Sequence, residues 1–112
     1  MVANWSRDDR QNIQLAAALA GYGLGLRPSE LLAPGRGALD IARGRQVAMY
    51  LAHVGFGMSL ARVAAAFGRD RSTVAHACHL VENRRDEAAF DAWMAQLESG
   101  VEVVAPLRGT AA

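Results

Sequence analysis

The stretch "FGRDRSTVAHAC", Phe67 to Cys78, places two arginines, an aspartate, a serine and a threonine directly before an apolar-patterned segment. Ala64, Gly68 and Val74 follow one another at intervals of four and six residues. A helix-turn-helix uses these residue types: a small residue at the helix crossing, a glycine that ends the first helix, and an aliphatic anchor early in the second. Because alanine-rich chains also produce this pattern by chance, two readings stay open here. The stretch is either a capped helix with a solvated first turn, or a helix whose first turn enters a DNA groove.

Apolar spacing predicts helices on both sides of this turn. Ser59 is a good N-cap for the helix that ends at Gly68, and the next helix begins near Asp70. Further helices are predicted from about residue 7 to 21, from residue 40 to the "GFG" at 55–57, and from about 87 to 97, with a short turn at "PSELLA". We expect "GYGLGLRP" to break the first helix. The predicted core comprises Ile41, Val47, Ala48, Leu51, Val54, Leu60, Val63, Ala64, Phe67, Val74, Ala77, Cys78, Val81, Phe90, Trp93, Met94 and Leu97, with Trp5 and Tyr22 against it.

The composition favours an all-α fold, because 52% of the 112 residues are hydrophobic but only 6% are aromatic. We predict a small helical domain with a helix-turn-helix and extra N- and C-terminal helices. Residues 1–35 are expected to form a helix and connector, residues 36–98 the helix-turn-helix domain, and residues 99–112 a tail that is either mobile or a partner-binding strand. No apolar run is long enough to span a membrane, and the single cysteine fits a reducing compartment, so we expect a cytoplasmic protein associated with the nucleoid.

The charge is unevenly distributed although the net charge is only +1. Residues 36–85 carry eight arginines against three acidic residues, whereas residues 86–112 carry one arginine against five. This asymmetry indicates an anionic partner for the middle of the chain. All twelve basic residues are arginine, which suits bidentate contacts to phosphate or guanine; a GC-rich genome would also replace lysine with arginine.

The predicted outer face of the helix after Gly68 has chemistry suited to DNA. A helix in the major groove presents its N-terminal residues to base edges. There Arg71 can bind guanine, Asp70 can accept from cytosine, and the hydroxyls of Ser72 and Thr73 can reach either kind of base edge. His76 would either touch a phosphate or pack, and Asp70 would also cap the helix.

Residues 43–82 resemble the C-terminal DNA-binding domain of the bacterial replication initiator DnaA. The matching pieces are "RQ" at 45–46, "SL" at 59–60, "FG" at 67–68, "RDRSTV" at 69–74 and "HAC" at 76–78. The resemblance implies that Asp70, Arg71, Ser72 and Thr73 read bases in the major groove. It further implies that Arg45 and Gln46 lie near phosphates and that a loop arginine enters the minor groove, Arg36 being the nearest candidate. The expected DNA-binding residues are Arg36, Arg43, Arg45, Gln46, Arg69, Asp70, Arg71, Ser72, Thr73 and His76.

The sequence departs from the family in three respects. The family usually has two glycines before Arg-Asp, whereas Gly68 stands alone here, so the turn is one residue shorter. Arg71 and Ser72 stand where the family has histidine and threonine, and an arginine at a base-reading position should favour guanine. The 112-residue sequence also contains no lysine and therefore no GxxxxGK[ST] phosphate-binding loop, so we expect no ATPase module.

These features predict a bacterial transcription regulator that binds double-stranded DNA in a sequence-specific way, such as one belonging to a phage-like gene cluster. Expected protein partners are a second regulator, a sigma-like factor or RNA polymerase, because one helix-turn-helix makes few contacts alone. The alternative is a protein–protein adaptor or replication-origin competitor that keeps the fold without a regulatory DNA target.

Enzymatic and metal-binding roles are not predicted. Cys78 lies on the predicted core side of the helix, whereas His76 and His79 lie on its predicted outer side. A buried cysteine is usually inert, and "RDD" at residues 7–9 reads as a helix start rather than a paired-carboxylate site. We therefore expect no catalysis, no metal, no cofactor and no small-molecule ligand.

Overall fold

A computed structural model describes residues 7–107, which contain helices and no β-strand. Six α-helices follow one another, with a π-helix after the third and a 3₁₀ turn after the last. None of the helices in this part of the chain is long and apolar enough to cross a membrane. The helices are α1 (Arg7–Leu24), α2 (Pro28–Leu32), α3 (Leu39–Tyr50), the π-helix (Leu51–Gly55), α4 (Leu60–Phe67), α5 (Arg71–Arg84) and α6 (Ala88–Val104), and the 3₁₀ turn is Ala105–Leu107.

Helices α4 and α5 form the predicted helix-turn-helix. The Ser59 hydroxyl accepts a hydrogen bond from the backbone N–H of Arg62 at 3.2 Å and so caps α4. Gly68 ends α4 with φ 65°, and the backbone N–H groups of Gly68 and Arg69 donate to the carbonyls of Ala65 and Ala64. This pattern is a Schellman motif, which supplies acceptors to the last amides of the turn and satisfies late carbonyls of α4. The predicted cap and turn glycine are confirmed, and Ala64 is buried.

The predicted burial of Val54 is wrong. Helix α3 passes directly into the π-helix, where the N–H of Phe56 donates to the carbonyl of Leu51, five residues earlier. A π-helix uses more residues per turn than an α-helix, so the α-helical spacing that predicted Val54 as buried no longer applies there. Val54, inside the π-helix, is 48% exposed. Val47 in α3 and Leu51 at the first position of the π-helix are buried, as predicted.

Helix α1 continues to Leu24, three residues beyond the predicted end. Gly21 and Gly23 lie inside the helix, at positions where other groups approach the backbone too closely for a side chain. An added Cβ would lie 2.3 Å from the Leu26 carbonyl oxygen at Gly21 and 2.8 Å from the Trp93 ring at Gly23. Tyr22, between these two glycines, is 90% exposed, so its predicted burial is wrong; Trp5 lies outside the described residues.

The boundary expected between residues 35 and 36 divides a single core. Ile13, Ala16 and Ala20 of α1 lie in one apolar cluster with Val47 of α3 and Val74 of α5. The extra N-terminal helix is therefore part of the domain that contains the helix-turn-helix.

The tail expected from residue 99 also needs correction. Helix α6 extends to Val104, and Val101 is buried against the backbone of Gly55. Val101 comes seven residues after Met94, so it continues the apolar stripe of the helix by two more turns. Residues 108–112 lie outside the described residues.

A polar network joins three helices on the side of the core near α6. The Tyr50 hydroxyl donates to Glu82 at 2.7 Å, and Arg85 donates to Tyr50, Asp91 and Glu98. Burial, and then the hydrogen bond to Glu82, raise the pKa of Tyr50 above its ordinary value. The carboxylates of Glu98 and Asp91 raise the pKa of Arg85. The network fixes the C-terminal end of α5 against α3 and α6.

Candidate nucleic-acid interface

Helix α5 presents the outer face that its sequence predicts. Val74, Ala77, Cys78 and Val81 are buried. Since these residues repeat at helical spacing, the polar side chains of the first two turns are left on the other side. The exposed residues on that side are Arg71, Ser72, Thr73, Ala75, His76, His79 and Asn83.

Asp70 occupies the N-cap position of α5 but does not act as its side-chain cap. Its backbone is extended, with φ −73° and ψ 151°, and its carboxylate makes no capping hydrogen bond. The residue is exposed. The predicted capping role is therefore not observed, and the carboxylate stays on the outer surface at the positive end of the helix dipole.

An open groove runs between α5 and the loop that precedes α3. We call residues 33–37, which lie between α2 and the N-cap residue of α3, the 33–37 loop. Arg36 from this loop and Gln46 from α3 line one side, and Thr73 and His76 from α5 line the other. The structure thus brings together candidate residues that lie up to 40 positions apart in the chain. Arg36, Thr73 and His76 are exposed, and Gln46 is half-buried.

Arg45 does not lie along the outer surface, as the resemblance implied, but inside the protein. The residue is 6% exposed. Its Nε donates to the Leu31 carbonyl at 2.8 Å, Nη1 to Arg36 at 3.2 Å, and Nη2 to Ala33 at 3.2 Å and Glu30 at 3.5 Å. Burial, and then the nearby charge of Arg69, lower the pKa of its guanidinium. All three nitrogens of the Arg45 guanidinium donate to backbone carbonyls, so this geometry gives no support to the expected phosphate contact.

The sequence contains a signal for this burial. Position 45 comes four residues after Ile41 and three before Ala48, both apolar and both predicted to face the core. An arginine in such a stripe is expected to have its charge satisfied internally. The acceptors in α2 and the 33–37 loop, however, are set by the tertiary fold.

Arg69 also points toward the 33–37 loop. Its Nη2 donates to the Gly35 carbonyl at 2.7 Å, and its Nη1 donates to the Phe67 carbonyl at 3.2 Å. The residue is half-buried. Arg69 therefore links the turn of the helix-turn-helix to the loop that carries Arg36, a contact that the sequence did not predict.

Arg43 lies apart from the other candidates. It is exposed, but it lines a second groove with Leu24, Leu39 and Trp93. Gln46, one turn further along α3, lines the groove beside α5, whereas Arg43 does not. The structure does not place Arg43 in the groove beside α5.

Within residues 7–107, no group of three or more histidine, cysteine, aspartate or glutamate side chains could hold a metal ion. Cys78 lies on the buried side of α5, whereas His76 and His79 are exposed. Burial raises the pKa of the Cys78 thiol to about 11. The thiol is therefore held in its neutral, unreactive form at ordinary pH.

The glycine-ended turn, the buried anchor of α5 and its exposed polar first turn define a helix-turn-helix protein of the DNA-binding type. Comparison with known proteins gives the family. The profile of the bacterial dnaA protein helix-turn-helix matches residues 18–81, more than half of the chain, so the chain belongs to that family. The match begins within α1, in agreement with the single core.

The chain is also similar to the chromosomal replication initiator protein DnaA 1 of Protochlamydia amoebophila (strain UWE25). The two are 49% identical over 45 residues, which is 40% of this chain and 10% of that relative. The match therefore concerns about a tenth of the relative's length.

Proposed function

We propose that the protein binds double-stranded DNA in a sequence-specific way and regulates transcription in a bacterium. In this proposal the first turn of α5 enters the major groove, with Asp70, Arg71, Ser72 and Thr73 facing the base edges. The observation that carries the proposal is the exposed polar first turn of a helix whose opposite side is anchored by Val74, in a chain of the DnaA helix-turn-helix family.

The groove beside α5 supports a second zone of contact. Arg36 is exposed on the 33–37 loop, next to the side of α5 that carries Thr73 and His76. A loop arginine at the edge of a major-groove helix is well placed to reach the backbone or the adjacent minor groove. We assign Arg36 to the minor groove, His76 and Gln46 to phosphates, and Arg43 to no direct contact.

The local charge favours this orientation on DNA. Residues 36–85 carry a net charge of +5, while residues 86–112 carry −4. Helix α6, which contains Asp91, Glu98 and Glu102, would be repelled by phosphates, so the basic side of the molecule faces the duplex. Each phosphate contact made by an arginine should add to the salt dependence of binding.

Arg71 and Ser72 favour a target different from that of the initiator. The resemblance places histidine and threonine of the family at these two reading positions. A guanidinium donates two parallel hydrogen bonds to guanine, which an imidazole cannot do. We therefore expect a site with a guanine opposite Arg71, at promoters rather than at the initiator's own boxes.

A protein partner is the second part of the proposal. A single helix-turn-helix contacts few base pairs, and such proteins commonly gain affinity from a second DNA-binding unit. Tyr22 and Val103 are 90% and 73% exposed and supply apolar surface outside the groove beside α5. We propose a second regulator, a sigma-like factor or RNA polymerase as the partner.

The test is genome-wide immunoprecipitation of the tagged protein, with Arg71→Ala alongside. Promoter peaks that share a motif and disappear in the variant would support a regulator. Peaks confined to the replication origin would instead indicate competition with the initiator. No enrichment, together with no binding to a randomised duplex pool in vitro, would contradict DNA binding and favour the adaptor.

A further inference from the structure

The 33–37 loop is held from two sides by arginine side chains. From beneath, Arg45 donates to the carbonyls of Ala33 and Arg36. From the turn of the helix-turn-helix, Arg69 donates to the carbonyl of Gly35 at 2.7 Å, the shorter of its two hydrogen bonds. Three of the five loop carbonyls are thus fixed by guanidinium groups.

The loop would have many conformations without these bonds. Gly35 and Gly37 both have positive φ, at 86° and 73°. A Cβ added at Gly35 would meet no atom within 4 Å, whereas one added at Gly37 would lie 3.2 Å from the side chain of Ile41. Glycine explores more backbone conformations than other residues, and a loop with little packing opens at low free energy. The position of Arg36 is therefore set by the arginine–carbonyl bonds around it.

We infer that Arg69 is a positioning residue, which fastens the 33–37 loop to the turn before α5 and so fixes Arg36 relative to the base-reading face. This inference rests on the proposed function. Arg69 was expected to contact DNA itself because it belongs to the "RDRST" run. Its guanidinium instead donates to two carbonyls of the protein, and the side chain is half-buried.

The physical effect is preorganisation. A loop that is ordered before DNA arrives loses less conformational entropy on binding, so the contact made by Arg36 is stronger. The same bond ties the two zones of contact together, because Arg69 directly precedes Asp70 at the start of α5. A shift of the loop would misplace Arg36 relative to the major-groove residues.

The first experiment measures the loop without DNA. Limited trypsin digestion followed by mass spectrometry gives the rate of cleavage after Arg36. Arg69→Ala should raise that rate about tenfold, as expected for the loss of one charge-assisted hydrogen bond. Arg71→Ala is the matched control. Arg71 carries the same charge, lies two residues after Arg69, and its side chain is exposed. Circular dichroism verifies that both variants are folded.

The second experiment is a double-mutant cycle in DNA binding. The probe is a duplex recovered by the unaltered protein from a randomised pool. Arg36→Ala and Arg69→Ala should each weaken binding about tenfold. If Arg69 acts through Arg36, the double variant should bind within about twofold of Arg36→Ala. In the Arg36→Ala background, Arg69→Ala should also leave the slope of log K against log[salt] unchanged.

The outcomes are distinct. Unchanged cleavage after Arg36 in Arg69→Ala would overturn the restraint of the loop. Additive losses of affinity, with a further drop in the salt slope, would mean that Arg69 touches DNA directly and would also overturn the inference. If the unaltered protein bound no duplex, the proposed function would fail, and the role of Arg69 in recognition with it. Faster cleavage together with non-additive losses would support the positioning role.

Discussion

Arg71 and Arg84 lie at opposite ends of α5 and carry the same charge, so they separate base reading from general attraction to DNA. They are thirteen residues apart, about 20 Å along the helix. Arg71→Ala should cost ~1–3 kcal/mol on the preferred duplex and relax the preference at one base position. Arg84→Ala should weaken binding to all sequences alike and by less, because its guanidinium lies over the Phe90 ring, 4.0 Å from the centroid.

Selection from a randomised pool, followed by titration of the recovered duplex, measures both effects. If Arg84→Ala changed the selected sequence and Arg71→Ala did not, the C-terminal end of α5 would be the reading end. The assigned orientation of the helix in the groove would then be wrong.

Cys78 should make stability depend on pH in the alkaline range. Its pKa is raised from 9.0 to about 11 by burial, with a smaller contribution from Glu82. Below pH 9 the thiol is protonated in both states. Between about pH 9 and 11 it ionises only in the unfolded state, so the free energy of unfolding falls as pH rises. We expect the loss to be about 1–2 kcal/mol.

Urea unfolding at pH 8 and pH 10.5 measures this loss, with Cys78→Ala as the control. Tyr50 also has a raised pKa but is present in both proteins, so its contribution cancels in the comparison. An equal loss of stability in the two proteins would show that the buried thiol is not responsible.

At the scale of residues, polar side chains were harder to predict than apolar ones. Burial follows from periodicity for Val74 and Val81, which lie on one helical face. The position of an arginine depends on where acceptors lie in space. Arg45 finds its acceptors 9 to 15 residues earlier in the chain, and Arg69 finds one of its two acceptors 34 residues earlier. No local pattern contains that information.

The single-glycine turn between α4 and α5 is the element on which the helix-turn-helix depends. Gly68 has φ 65°, and a Cβ added there would meet no atom within 4 Å. The cost of a side chain at this position is therefore a backbone cost alone. Gly68→Ala should lower the free energy of unfolding by about 1–2 kcal/mol, since a left-handed conformation is unfavourable for alanine.

Gly68→Asn is the matched substitution, because asparagine tolerates the left-handed region better than alanine does. It should cost less than Gly68→Ala although its side chain is larger. Urea denaturation of both variants measures the difference. If asparagine were the more costly of the two, steric contact rather than backbone conformation would control the turn.

Helix ends were predicted where a cap defines them and missed where tertiary contact defines them. Ser59 and Gly68 bound α4 as the sequence predicts. The end of α1 differs because Gly21 and Gly23 accommodate the backbone at Leu26 and the ring of Trp93. The π-helix after Tyr50 likewise has no marker in the local sequence, so the exposure of Val54 was not predicted.

At the scale of the whole molecule, the polar network around Arg85 connects the acidic end of the chain to its basic middle. Arg85 donates to Asp91 and Glu98 of α6 and to Tyr50 of α3. The acidic segment therefore has a structural role besides its negative charge. It holds α6 against the core.

Removing residues 1–35 should abolish cooperative folding, because α1 and α2 complete the core. Burial of Ile13 and Leu31 alone contributes roughly 3–6 kcal/mol. This is comparable to the total stability of a small domain, about 5–15 kcal/mol. The fragment 36–112 would also lose three of the four carbonyls bound by Arg45 and leave its guanidinium with the Arg36 carbonyl alone.

Thermal unfolding followed by circular dichroism compares this fragment with one that ends at residue 98. The shorter C-terminus loses Val101, which is buried, but keeps Arg85, Asp91 and Glu98 together. The fragment 1–98 should melt cooperatively at a lower temperature than the full chain, whereas the fragment 36–112 should show no cooperative transition. A cooperative transition in the fragment 36–112 would mean that the helix-turn-helix has a core that is stable without α1 and α2. Residues 36–98 would then form a domain of their own, and the shared core would not be required for folding.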